Sequence, residues 1–279
     1  MTVSLNVFLL VLFAALLHAS WNAIIKSSAD TLLDTVALTI AAAVLSALVL
    51  PFIPAPAPAG WPWLAASVML HVCYFLMLGA VYRVGDLSHV YPLMRGIAPM
   101  LVALVGVIWL GETLSVTVWS GIGLICLGIL LPVLRHPQVF AERATPLALA
   151  IALVIAGYTL VDGNGTRASG NPLSYCLWMF LLEAPPIVLA AWLKQRGRVW
   201  VYCRARWRQA TIGGFCALGS YSIALWAMIA APIAAIAALR ETSVLFAAVI
   251  GCTLLKERLG SWRVAGAAII AGGMALLRL

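Results

Sequence analysis

Ten apolar runs, each about 20 residues long, fill nearly all of this 279-residue chain. A membrane helix needs roughly 20 mostly apolar residues. The runs fall near 5–25, 32–53, 62–82, 88–110, 115–134, 146–164, 172–193, 210–229, 232–255 and 261–278. Helices are the spanning element to expect, because lipid leaves every backbone group to be bonded internally. The runs are too long and too evenly apolar for barrel strands, which alternate. Composition agrees. Only 9% of residues are charged and 64% are hydrophobic, with a mean hydropathy of +1.07. Soluble domains carry about 25% charge. The expected fold is therefore all-α and integral to a membrane. The longest connection, 194–209, leaves no room for a soluble catalytic domain.

Charge sets the expected orientation. The net charge is +8. A basic pI of about 9.5 can mark nucleic-acid binding, but basic loops also hold the cytoplasmic side of membrane proteins. Loops and flanks after spans one, three, five, seven and nine hold Lys26, Arg83, Arg135, Lys194, Lys256 and most other basic residues. Arg167 and Arg278 lie opposite, while Arg95 and Arg240 fall inside spans. That imbalance places the basic loops in the cytoplasm and both termini outside, in a cytoplasmic membrane. The segment after span seven, RGRVWVYCRARWRQ, reads as an anchoring loop with its Trp and Tyr at headgroup level. The first basic residue is Lys26, so the N-terminal run reads as a retained span rather than a signal peptide. No two of the six cysteines lie within four residues of each other, so zinc or CxxC chemistry is not expected. Neither a metal nor another cofactor is called for.

The chain also repeats itself. Shifted by 145 residues, YPLMRGIAPMLVALVGVIWLGETL overlies AALRETSVLFAAVIGCTLLKERL. Arg95 then meets Arg240, Gly106 meets Gly251, and Glu112 meets Glu257. Gly121 meets Gly266, and Gly128 meets Gly273. The shift crosses five spans, an odd number, so the copies run oppositely through the bilayer. The expectation is two inverted five-helix repeats, residues 1–135 and 146–279. Inverted repeats are a hallmark of secondary transporters, whose substrate site lies near the midplane between the halves.

These motifs carry a resemblance. LGETLSVTVWSGIGLICLGILL and LKERLGSWRVAGAAIIAGGMALL resemble the drug/metabolite transporter superfamily, most closely its EamA-type branch. The resemblance implies ten helices in a five-plus-five arrangement and transport of amino acids, nucleotide sugars, phosphorylated sugars, drugs or other metabolites. Such proteins are commonly drawn with cytoplasmic termini, whereas the basic residues here argue the reverse.

Polar residues inside spans mark candidate sites. An ionisable side chain at the bilayer centre costs at least about 2.5–3.5 kcal/mol, so it needs a reason. Arg95 and Arg240 sit one-third into spans four and nine, and Glu241 follows Arg240. They read either as a central cavity or as a structural ion pair. One acid beside two arginines leaves a positive charge in excess, which a bound anion or water would balance. Guanidinium groups bind carboxylate or phosphate bidentately. Pro92 and Pro99 bracket Arg95 and loosen span four. Tyr91 lies one turn before Arg95. Span one carries His18, Trp21 and Asn22, with Lys26 continuing the stripe. His71 and Tyr74 in span three, Tyr158 and Asp162 in span six, and Tyr221 and Trp226 in span eight are candidate walls. Glu183 in span seven, and Asp162, are candidates for proton coupling. Asn164, Gly165 and Thr166 read as a short turn.

The leading expectation is a secondary transporter working by alternating access. Its substrate would be a small anionic or zwitterionic metabolite: an amino acid, an organic acid, or a phosphorylated or phosphonate compound. Export or exchange is favoured, with a proton or counter-substrate as coupling partner. The protein would act in membrane lipid as a monomer or homodimer, without nucleic acid. The alternatives are an integral-membrane enzyme on a lipid-soluble substrate, or a non-transporting scaffold. The nine acids and four histidines are scattered, and neither HExxH nor GxSxG occurs, so an enzyme is not expected.

Overall fold

The computed structural model describes residues 3–28, 30–84, 87–135, 138, 142–253 and 260–278. Among the described residues twelve α-helices run in chain order: α1 Leu5–Lys26, α2 Thr31–Val49, α3 Trp61–Val84, α4 Leu87–Leu110, α5 Val116–Leu134 and α6 Thr145–Ser169. They continue as α7 Pro172–Gln195, α8 Arg198–Ala205, α9 Trp207–Ala230, α10 Ile233–Arg240, α11 Ser243–Thr253 and α12 Ser261–Arg278. Among the described residues there are nine spans long and apolar enough to cross a membrane, α10 and α11 together making one. α12 has an arginine near each end and packs along α5 as a further long apolar helix. Local chemistry fixes the ends. Ser4, Asp30, Ser115 and Asn171 accept from backbone N–H groups that the first turns of α1, α2, α5 and α7 leave free. Gly111 and Gly170, at φ +66° and +68°, follow the last turns of α4 and α6.

Large apolar side chains cover the outer faces: Phe52, Met69, Ile108 and Val116 are strongly exposed. In water that would be costly, but against lipid tails it is the expected surface. The interior is closed by small residues. α5 and α12 pack closely, and a Cβ on Gly128 would lie 2.7 Å from the Gly266 carbonyl oxygen. A Cβ on Gly273 would lie 2.7 Å from the Gly121 carbonyl oxygen. Such crossings need residues without side chains.

The packing between the halves is reciprocal. α1 lies on α9 and α3 on α6; α4 lies on α6, and α1 on α10 and α11. α2 meets α7, and α5 meets α12. On one side of the bundle Arg206 pairs with Asp34 through two contacts, 2.9 and 3.2 Å. On the other, the Ala57 N–H donates to the Ser169 carbonyl at 3.0 Å.

Three expectations need correction. The 194–209 connection contains a short helix, α8, because Val199, Tyr202 and Cys203, one turn apart, pack on Leu33, Val36 and Ile187 while Trp200 and Val201 stay exposed. Residues 164–166 are not a turn: α6 runs through them to Ser169. Gly165 keeps the helix there and lets the Tyr175 hydroxyl approach within 2.5 Å of where a Cβ would stand. The loosening expected at Pro92 and Pro99 does not interrupt span four; span nine is the interrupted one. α4 is a single helix across Pro92 and Pro99, whereas a turn at Glu241 and Thr242 separates α10 from α11.

Candidate functional site

The turn in span nine explains where Arg240 and Glu241 stand. The N–H groups of Glu241 and Thr242 donate to the Ala238 and Leu239 carbonyls, three residues back. The Thr242 hydroxyl donates to the Leu239 carbonyl at 2.6 Å. Such side-chain bonding competes with the regular helical ladder. Arg240 therefore ends α10, where a cation complements the negative end of the helix. Interrupted helices of this kind build the midplane sites of transporters.

Around this turn four helices place polar groups in a buried space. Arg95 of α4 pairs with Glu241, Nε to Oε2, at 2.9 Å. His18 of α1 lies 3.5 Å from Arg95, Nε2 to Nη2. Its ring meets Trp21 edge-on at 4.9 Å. Arg240 stacks on Tyr221 of α9, with its Cζ 4.8 Å from the ring centre. Arg95, Arg240 and Glu241 are each more than 90% buried. A small cavity touches all three, along with Pro99, Ile155, Tyr158, Thr159 and Ala237. Its free volume of about 10 Å³ admits roughly one water molecule, so the space is nearly closed.

A second cluster adjoins the first. The hydroxyls of Tyr175 and Tyr221 both donate to Asp162, the former at 3.2 Å. His71 Nε2 stands 3.9 Å from Asp162 Oδ2. The His71 ring lies on Tyr158 at 4.3 Å, and Tyr74 meets Tyr158 edge-on at 5.9 Å. Tyr221 therefore touches both clusters, one through its ring and the other through its hydroxyl.

Most residues singled out in the sequence come together here: His18, Tyr91, Arg95, His71, Tyr74, Tyr158, Tyr221, Arg240 and Glu241. Tyr91 neighbours the charges of Arg95 and Glu241. Asn22 does not join them. Its amide donates to the His18 carbonyl of its own helix at 2.8 Å. Trp21 meets His18 edge-on and packs against the apolar core. Trp226 is 42% exposed and faces outward, so it walls no cavity. Asp162 takes a larger part than its sequence suggested. Its place as an acid inside span six and its i, i+4 spacing from Tyr158 were visible; the tyrosines that donate to it come from other helices. Asp162 and Glu183 also add two acids to a charge count that the sequence drew from two arginines and Glu241 alone.

A third polar contact joins the ends of α4, α6 and α10. Glu112, just after α4, accepts from the Ile233 N–H at the start of α10, 2.9 Å away. Arg167 of α6 lies 3.5 Å from the same carboxylate and donates to the Met228 carbonyl at 2.8 Å. Glu257, the partner of Glu112 in the repeat, lies outside the described residues.

Residues 143–279 match the EamA-like transporter family. A solved crystal structure of a protein superposes over 98% of this chain and 96% of its own, with a TM-score of 0.74 and 17% identity. That likeness concerns the fold. No curated protein matches the sequence.

Proposed function

The chain belongs to the drug/metabolite transporter superfamily through its EamA-like half and is a multi-pass membrane protein, and we propose that it carries a small anionic or zwitterionic metabolite between Arg95 and Arg240. The observation that carries the reading is Arg240. Its guanidinium is buried and rests on the Tyr221 ring, and among the described residues no acid lies within ion-pair distance. A buried cation without an anion in contact is costly. A substrate carboxylate or phosphate supplies that contact through two N–H groups. Arg95 is already engaged by Glu241, so it orients and balances the site, while Glu241 stands ready for an amino group.

Alternating access is the mode of transport we assign to this placement. The cavity is nearly closed, and the Glu112–Arg167–Ile233 lock ties the turn after α4 to α6 and α10. Rocking of residues 1–135 against 146–279 opens one side or the other. What supports the two-repeat reading is the reciprocal packing. Gly121 meets Gly273 as Gly128 meets Gly266, the same contact twice under the 145-residue shift. Isologous contacts are what a twofold relation produces. Basic loops on the cytoplasmic face then leave both termini outside, and export or exchange is the direction we assign.

The test is ligand-dependent thermal stabilisation of the purified protein. Amino acids, organic acids, phosphorylated and phosphonate compounds and cationic drugs are compared. A bound ligand raises stability by mass action. The expected result is stabilisation by an anionic or zwitterionic compound, lost in Arg240→Gln. Stabilisation by cations alone, or an equal response in the variant, overturns the assignment.

A further inference from the structure

We propose that His71 and Asp162, joined through Tyr221 to Arg240, form a proton-binding site whose occupancy is coupled to the anion at the arginines. This rests on the anion reading above and names what accompanies the anion.

The argument begins with the imidazole. His71 Nδ1 lies 3.0 Å from the Ser67 carbonyl oxygen. A carbonyl only accepts, so Nδ1 carries a hydrogen. The Ser67 hydroxyl is also near, at 3.3 Å, but its donation would leave a bare Nδ1 facing the closer carbonyl. With Nδ1 protonated, a neutral ring presents a lone pair at Nε2. That lone pair faces Asp162 Oδ2 across 3.9 Å. Two acceptors gain nothing from each other. A proton on Nε2 converts the contact into attraction.

The neighbours bear on the same proton. Ser67 faces the pair from α3, Tyr158 from α6, and Tyr175, Cys176 and Glu183 from α7. Tyr221 faces it from α9 and Arg240 from α10, while Arg95 and Glu241 lie beyond Tyr158. When ionised, Asp162, Glu183 and Glu241 carry three negative charges against two positive ones on Arg95 and Arg240. One proton makes the empty core neutral. A monovalent anion requires a second, and His71 and Glu183 are the groups beside Asp162 able to take them. In a low-dielectric core an unbalanced charge is costly, so anion entry and proton uptake proceed together. Linkage makes the effect reciprocal: a proton on the pair strengthens anion binding by the same factor.

Tyr221 is the physical link. Its ring supports Arg240 at 4.8 Å, its hydroxyl donates to Asp162, and its ring meets that of His71 edge-on with the centres 5.9 Å apart. Losing the positive charge of Arg240, whether to a bound anion or to a substitution, favours the proton on the pair.

The experiment uses the full-length protein, labelled with [¹⁵N]histidine, in lipid nanodiscs with no metabolite added. Imidazole nitrogen shifts report protonation between pH 5 and 9, and His71→Gln identifies the His71 signal. The expected result is an Nδ1–H ring whose Nε2 takes up a proton in response to the charges around it. At pH 7 its protonated share rises about threefold in Arg240→Gln and falls about threefold in Asp162→Asn. Tyr221→Phe, which keeps the ring but removes a donor from Asp162, raises the share and serves where Asp162→Asn fails to fold. A His71 in one state from pH 5 to 9, or the same titration in wild type, Arg240→Gln and Tyr221→Phe, overturns the inference. An unresponsive His71 beside Arg240-dependent anion stabilisation overturns this inference and leaves the anion site standing. A responsive His71 in a protein that no anion stabilises overturns the anion site and keeps the proton site.

Discussion

Arg95 and Arg240 stand at matching points of two spans, 145 residues apart, yet the spans around them are built in opposite ways. α4 carries Pro92 and Pro99 and remains one helix. Span nine has no proline between Ile233 and Thr253 and is interrupted beside its arginine. A proline removes one N–H and strains one turn, which neighbours pressed against both sides of the helix can absorb. α4 is held in this way by α5, α6 and α10. Glu241, Thr242 and Ser243 place three polar side chains in succession, and the Thr242 hydroxyl diverts a carbonyl from the helical ladder. The arginines differ accordingly: Arg95 meets an acid, and Arg240 meets a ring. A repeated residue thus need not repeat its role.

The largest expected effect breaks the Arg95 side of this comparison. Glu241→Gln leaves Arg95 buried without its acid, at a cost of about 3–5 kcal/mol. Thermal unfolding in detergent should show a marked loss of stability, and Arg95→Gln combined with Glu241→Gln should recover much of it. A double variant as unstable as the single one would show that the pair is not the source. Next comes the Arg240 side. Arg240→Gln should weaken anion binding by about 10- to 100-fold, the worth of a charged hydrogen bond, with a smaller loss of stability than Glu241→Gln. Ligand-titrated melting curves separate the two quantities.

The third effect lies outside both spans, in the close α5–α12 seam. Gly128→Ala puts a methyl 2.7 Å from the Gly266 carbonyl oxygen and should cost about 1–3 kcal/mol. Gly123→Ala, on the same helix but facing open space, should change stability by less than about 0.5 kcal/mol. Equal melting temperatures for the two variants would remove the seam from the account. The smallest effect sharpens the reading of closure. Glu112→Gln keeps an acceptor for the Ile233 N–H but loses the charge facing Arg167. It should destabilise by about 1 kcal/mol or less. Accessibility of a cysteine introduced at Thr159 to a water-soluble thiol reagent should rise in that variant if the contact holds one side shut.

The architecture was legible because its causes are local. The membrane spans follow from run length and hydropathy, and the α5–α12 glycines stand in the sequence at matched positions. Arg95, Arg240 and Glu241 were visible as charges where charge is costly. Some of the site was hidden for reasons equally physical. Asp162 gains its importance from Tyr175 and Tyr221, which lie on other helices and adjoin it only after packing. Asn22 looked like a cavity residue by its stripe, yet its amide turns back to the His18 carbonyl. A stripe fixes the face of a helix, not the bond that each side chain chooses.

The sequence by itself determined that the chain lies in a membrane, that it is helical, and which residues place charge inside the spans. Those outcomes rest on the lengths of apolar runs and on the cost of charge in lipid, which depend on each segment alone. Tertiary structure alone decided which arginine meets Glu241, which one stacks on Tyr221, and how Asp162 joins the site. Those outcomes depend on how α4, α6, α9 and α10 approach one another. Contacts between helices are set by packing over the whole bundle, and no single span contains them.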